Sequence, residues 1–368
     1  MTMPKATWSK CLPVAHWPAL DRAAWERANV PGTPFEPGGI ASRWSKTCRR
    51  KTALGYGRYL YFLEQRGGLD KNAAPASRVT HRLLLTYLEE LEQTNAGYTI
   101  PTRIQELGDA MRALAPERDW GFIKRAAGRL RATTIPAMNK RARLPLLTNV
   151  IIQGYDMMQE AESDAGASAL GRAALYRDGL LLAFLAHHPL RLRNLTSLRI
   201  GEHVKLDSDP PLLQIDAAET KTRQRIEQEL PSRLAHAIKT YVERYRPVLL
   251  RARGRWHRPV TNELWISRDG SPCSAQTFQN IVAKRVRGPD GRPLSPHLFR
   301  SMMATMVAIE APEAVDLIPV VLTHRSPKTG ERYYNLADGL SASRTYTGFL
   351  QEIERELRDV DHRKEEEA

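Results

Sequence analysis

No long hydrophobic run interrupts this sequence. The strongest, over residues 180–186, is too short to span a bilayer, which takes roughly 20 apolar residues. The opening MTMPKATWSK also lacks the apolar core of a secretory leader. Cysteine is scarce: Cys11, Cys48 and Cys273 lie far apart, in no CxxC or Cys/His pattern. That excludes a disulfide framework and a structural zinc site and fits a reducing compartment. The expected location is therefore cytoplasmic, with no membrane partner. Negative charge is in deficit as well, with 41 Asp+Glu against 55 Lys+Arg and a formal net charge of +14. Such an imbalance fits either a polyanionic partner or a basic surface kept for solubility.

What is present is the composition of a folded chain, 42% hydrophobic and 26% charged, and 368 residues allow two domains with separate cores. Residues 1–41 contain Pro4, Pro13, Pro18, Pro31, Pro34 and Pro37 and one predicted helix over 20–28, so they read as an irregular arm. Its Trp8, Trp17 and Trp25 either pack on the next domain or touch a partner. Residues 42–134 show four amphipathic helical patterns. The first covers 47–65 and stops at Gly67 and Gly68; the second follows Thr80. The third carries Ile104, Leu107, Met111 and Leu114 behind Pro101, and the fourth runs from an Asp119 cap through Leu130. They predict a small all-α domain.

The excess charge is concentrated here: 20 Lys/Arg against 9 Asp/Glu over residues 42–147 leave +11 of the net +14. Arg49, Arg50 and Lys51 cluster in the first helix, and Lys124, Arg125, Arg129 and Arg131 in the fourth. Lys140 and Arg141 sit in a basic, proline-containing linker over 135–147. Each cluster is either a solvated helix face or a surface for the DNA backbone.

A second domain is expected over 148–340. Helical patterns at 147–161 and 167–188 precede two strands, 212–216 and 225–230, joined by the turn ETKTRQ. A helix over 232–251, a short strand over 264–267 and a helix after Ser274 follow. Residues 341–368 read as a C-terminal helix over 341–360 with an acidic tail, docking on a neighbouring protomer or on its own domain. The fold class is thus mainly α with a small antiparallel β-sheet.

The residues best suited to chemistry gather near the C-terminus. His297 and Arg300, three apart, share a helix face, and Ser295-Pro296 is a helix-start signal. Ser326-Pro327 repeats that signal just after His324, ahead of Tyr333 and Tyr334. A phosphodiester attacked by a side-chain oxygen gains negative charge on its non-bridging oxygens, which calls for fixed cations. Arginine suits this because its planar fork binds two oxygens at once. Arg191 and Arg300 are the candidates, with Lys221 as acid and His297 and His324 as base or as further donors to phosphate.

The elements LRLRNLTSL around Arg191, TKTR around Lys221, HLFR ending at Arg300 and LTHRSPKTGERYY, in that order behind a basic helical domain, resemble the tyrosine recombinases, or phage integrases. The spacing of nine residues from His324 to Tyr333 matches the family pattern, and LAPERDWGFIKRAAGRL is similar to part of its helical DNA-binding domain. The resemblance, covering roughly residues 42–355, implies an N-terminal helical DNA-binding domain and an α+β catalytic domain. By that resemblance Arg191 and Arg300 would clamp the scissile phosphate of double-stranded DNA, Lys221 would protonate the departing 5′-hydroxyl, His297 would assist proton transfer and His324 would hydrogen-bond the phosphate. Tyr333 would form a 3′-phosphotyrosyl link. Neither ATP, a metal nor another cofactor is implied, and a homotetramer on paired recombination sites is.

Three positions depart from the family pattern. Asn194 stands where an acidic residue is usual, Thr323 replaces the glycine before the second histidine, and Tyr334 adjoins Tyr333, so that spacing alone selects the nucleophile. The alternatives are a strand-relaxing type IB topoisomerase, which shares the chemistry, and a non-catalytic DNA-binding relative, of which Asn194 and Thr323 would be early signs.

Overall fold

The computed structural model describes residues 10–135, 143–252 and 261–323. The chain divides into two units, Met1–Asn139 and Lys140–Ala368, each with its own hydrophobic core.

In the first unit the described helices are α1 (Ala19–Asn29), α2 (Lys46–Gln65), α3 (His81–Thr94), α4 (Thr99–Leu114) and α5 (Gly121–Thr133). Their starts follow from local chemistry. The Ser45 hydroxyl accepts from the Cys48 amide at 3.2 Å and the Thr80 hydroxyl from the Leu83 amide at 3.3 Å, each satisfying one of the donors a helix start leaves over. Gly67, at φ +66°, takes the left-handed conformation beyond α2 at no steric cost. Asp119 accepts from the Gly121 amide at 2.8 Å and opens α5.

Within residues 10–41, α1 is the helix expected over 20–28, the chain on either side is irregular apart from two short 3-10 turns, and Trp17 and Trp25 take the packing alternative. Trp17 and Trp25 are buried in the same core as α2, with Trp17 edge-on to Tyr56 at a centroid distance of 5.0 Å. Beneath them Asp21, fully buried on α1, accepts from the Tyr56 hydroxyl and pairs with Arg78 at 2.6 Å. Prolines break the helical pattern here, but aromatic burial at roughly 1.5–3 kcal/mol per large apolar side chain outweighs that local irregularity.

In the second unit α6 (Leu147–Ser163) and α7 (Ala169–His187) form the centre. α7 is buried nearly all round from Tyr176 to Ala186. The two helices cross at paired glycines: a Cβ on Gly179 would lie 2.5 Å from the Gly154 carbonyl oxygen, so no larger residue fits. α8 (Leu192–Thr196) follows, then an antiparallel sheet of β1 (Val204–Lys205), β2 (Leu212–Ile215) and β3 (Ile226–Glu229) in that order. Leu213 pairs with Gln228 and Ile215 with Ile226, burying Leu213, Ile215 and Ile226. α9 (Ser232–Thr240) runs through a π-helical turn, Tyr241–Tyr245, into α10 (Arg246–Arg251), and α11 (Ala275–Arg285), α12 (Leu298–Glu310) and α13 (Leu317–Val321) complete the described part.

Three local expectations are corrected. The strand expected over 264–267 makes a single bridge, Ile266 with Pro272, held by bonds from the Cys273 amide to the Trp265 carbonyl at 2.9 Å and from the Ser267 amide to the Ser271 carbonyl at 2.7 Å, with the chain turning back directly after Ser267. The short β1 adds a strand that no alternating pattern announced. The helix announced by Ser295-Pro296 begins at Leu298, after a turn closed by backbone bonds from Leu298 to Ser295 and from Phe299 to Pro296. Of the linker expected over 135–147, residues 136–142 lie outside the described residues, while Arg143 is tied into the second unit through Asp290 at 2.7 Å.

Candidate active site

α7 ends at His187, and the chain turns through His188, Pro189 and Leu190 to present Arg191 at the start of α8. The half-buried Arg191 guanidinium, its pKa lowered by that burial, reaches Thr323 just beyond α13. Arg191 Nη1 donates to the Thr323 hydroxyl at 2.9 Å and Nη2 to the Thr323 carbonyl at 3.2 Å. Arg300, buried in the first turn of α12, donates from Nη1 to the Pro189 carbonyl at 2.9 Å and from Nη2 to the Leu322 carbonyl. The structure therefore brings the two arginines to one short segment, Leu322 and Thr323, which immediately precedes His324 in sequence.

Thr323 is bent to suit. Its φ of +48° lies in the left-handed region, unusual for a β-branched residue, and its amide donates back to the Val320 carbonyl at 3.0 Å. That conformation costs about 1–2 kcal/mol. Hydrogen bonds to a charged donor contribute about 1.5–3 kcal/mol each, so the two from Arg191 offset the strain.

The β2–β3 hairpin is joined to the same place. On β3, Gln228 Oε1 lies 2.8 Å from Nδ1 of His188, which is buried and held neutral, with its pKa pushed down to about 4 chiefly by burial. Gln228 also reaches towards the Val321 carbonyl, at 3.5 Å. At the other end of the hairpin Lys221 is exposed on the turn between β2 and β3. That turn is shaped by Thr220, whose hydroxyl accepts from the Gln224 amide at 3.0 Å. His297 is exposed at the N-terminal end of α12, three residues before Arg300. Neither is brought into the Arg191–Thr323–Arg300 bonding set by the contacts above. His324, Tyr333 and Tyr334 lie outside the described residues, as does the helix expected after Ser326.

Asn194, on α8, is buried. A carboxylate there would have to be desolvated, a cost the neutral amide avoids.

Among the described residues one group has a composition that could hold a metal: Glu202, His203 and Glu219. Its atoms are already committed to one another. The Arg199 amide donates to His203 Nδ1 at 3.0 Å, which leaves the ring proton on Nε2, facing Glu219 Oε2 at 3.0 Å. The Arg199 guanidinium meets both Glu202 and Glu219. This network braces the hairpin turn two residues before Lys221.

In the first unit, Arg50, Lys51, Lys124, Arg125 and Arg129 are exposed and Arg49 is half-buried, so α2 and α5 each present cations to solvent. Lys51 lies 3.6 Å from Glu106, a buried carboxylate that also meets Arg58 at 3.2 Å and Arg103 at 2.9 Å. Lys140 and Arg141 lie outside the described residues.

Compared with known proteins, residues 156–339 match the model of the phage integrase family, half of the chain. The chain belongs to this family, the tyrosine recombinases. Two solved structures are also similar. A crystal structure of XerA recombinase aligns at 15% identity over 84% of this chain and 94% of that one, with a TM-score of 0.39. The Tn1549 transposon integrase, in complex with circular intermediate DNA, aligns at 12% identity over 75% of this chain and 93% of that one, with a TM-score of 0.40. No curated protein matches the chain. Among the described residues no helix is long and apolar enough to cross a membrane.

Sequence reasoning noted Thr323 only as a departure from the tyrosine recombinase pattern and missed its bond to Arg191. It missed His188, Gln228 and Glu106 altogether. The usable signal was Thr323 itself: a side chain with a hydroxyl at a position suited to glycine invites the question of what that hydroxyl holds.

Proposed function

We propose that this tyrosine recombinase is an active site-specific DNA recombinase that cleaves and rejoins DNA through a 3′-phosphotyrosyl intermediate. The observation that carries this reading is the attachment of Arg191 and Arg300, distant in sequence, to the Leu322–Thr323 segment that leads into His324. Two forked cations held at one place suit a phosphodiester whose charge grows during attack.

In this reading the Tyr333 oxygen forms a bond to phosphorus while the bond to the 5′-oxygen breaks. The phenolic proton passes to His297, and Lys221 gives a proton to the departing 5′-oxygen. Arg191, Arg300 and His324 hold the non-bridging oxygens. A 5′-hydroxyl from a partner duplex then attacks the phosphotyrosine and releases Tyr333. One phosphodiester replaces another, so the energy of the bond is retained and ATP is not needed. The exposed cations of α2 and α5, together with Lys140 and Arg141, bind the DNA backbone, and protomers act as a tetramer on paired sites.

The test is a duplex nicked next to the cleavage point, so that the short released strand diffuses away and the adduct accumulates. Its sequence comes from selecting covalently trapped fragments out of a DNA library. Wild-type protein and Tyr334→Phe should form the adduct, and Tyr333→Phe should not. Tight binding without any adduct would make the protein a non-catalytic DNA-binding member of the family.

A further inference from the structure

We propose that Thr323 is a positioning residue for Arg191: its hydroxyl fixes the guanidinium plane before DNA arrives, a task the backbone carbonyl alone does not complete. This rests on the reading of Arg191 as a phosphate ligand.

The geometry supplies each step. Thr323 offers two acceptors on adjacent bonds, and Arg191 meets them with two different terminal nitrogens, Nη1 on the hydroxyl and Nη2 on the carbonyl. Two contacts from two nitrogens define the plane of a rigid fork, whereas one contact leaves it free to swing about that bond. A guanidinium carries five N–H groups, so this clasp leaves donors over for phosphate.

The carbonyl contact is available to any residue at position 323, but the hydroxyl contact requires serine or threonine. A residue in the left-handed region at a helix end is most comfortably glycine. A β-branched residue at φ +48° is strained, and the bond to Arg191 offsets that strain. The hydroxyl is enclosed as well, since Thr323 is 7% exposed, so water competes little for it. Leu322, the preceding residue, gives its carbonyl to Arg300. The conformation at this point in the chain thus sets where both cations sit.

The test compares Thr323→Ser, which keeps the hydroxyl, Thr323→Val, which keeps shape and branching without it, and Thr323→Gly, which removes both hydroxyl and strain. Two readouts are taken on the full-length protein. The first is the reactivity of the Arg191 guanidinium towards phenylglyoxal without DNA, followed by peptide mass spectrometry. Valine and glycine should raise it severalfold, and serine should leave it at the wild-type level. The second is the rate of adduct formation on the nicked duplex at saturating protein. Valine and glycine should slow it by about tenfold, the loss of one hydrogen bond to a charged group, with DNA affinity unchanged and with serine near wild type.

Wild-type phenylglyoxal reactivity in both the valine and the glycine variants would overturn the proposal, whatever their cleavage rates. So would glycine cleaving as fast as threonine, which would leave Thr323 as a strained substitute only. If wild-type protein forms no adduct at all, the recombinase reading fails instead, and the phenylglyoxal comparison still decides whether Thr323 holds Arg191.

Discussion

Arg300 donates a hydrogen bond to the Pro189 carbonyl at 2.9 Å across 111 positions of sequence, joining the start of α12 to the loop that presents Arg191. Its other terminal nitrogen serves the Leu322 carbonyl, so a single buried side chain holds three distant segments together. Structure and proposed catalysis therefore depend on the same group. Arg300→Met should destabilise the protein by about 2–4 kcal/mol, because two carbonyls lose their partner in a buried setting. Arg300→Lys should recover less than half of that, since an ammonium is a point donor and cannot span two separated acceptors. Urea unfolding of the three proteins checks both figures.

His188 gives a pH dependence of definite sign. Its folded pKa of about 4 lies below its ordinary 6.5, so between these values the unfolded chain binds the proton and the folded one does not. Stability from this residue is therefore complete above pH 6.5 and falls as pH is lowered towards 4. Between pH 7 and pH 5 the wild-type protein should lose about 2 kcal/mol more than His188→Gln does. Urea titrations of both at the two pH values provide the comparison, and parallel losses would contradict it.

The pair formed by Asp21 and Arg78 tests whether the N-terminal segment is part of the first unit. Both side chains are buried, and they meet at 2.6 Å. Arg78→Met should cost about 3–5 kcal/mol, because Asp21 is left charged without its partner. Burial already raises the Asp21 pKa, so lowering the pH should relieve part of the loss in the variant by protonating the orphaned carboxylate. Thermal melts at neutral and mildly acidic pH would reveal this.

The proposed binding of DNA by α5 would have a salt signature. If Lys124, Arg125 and Arg129 each neutralise a phosphate, replacing all three by alanine should reduce the slope of log K against log salt by about 0.9 for every phosphate no longer neutralised. An unchanged slope would return these exposed residues to the role of a solvated helix face. Fluorescence anisotropy at several salt concentrations suffices.

Much of the helical framework was legible because its signals are local. Thr80 and Ser274 each stand where an N-cap is needed, and the run at 180–186 could only be interior. The hairpin carrying Lys221 was legible from alternation and a polar turn. What escaped reading depends on partners far along the chain. Trp17 finds Tyr56 on α2, and Arg191 finds Thr323 across 132 positions; no window of sequence contains either pair. The left-handed Thr323 is a case in which a tertiary contact overrides what the local residue favours.

The shared use of Leu322 and Thr323 has a mechanical consequence. Arg191 and Arg300 hang side by side from that dipeptide, so a substitution that shifts it should disturb one bond of Arg300 and both of the Thr323 bonds of Arg191, while Arg300 keeps its bond to Pro189. The two cations therefore share one foothold in the backbone, and Arg191 depends on it more than Arg300 does.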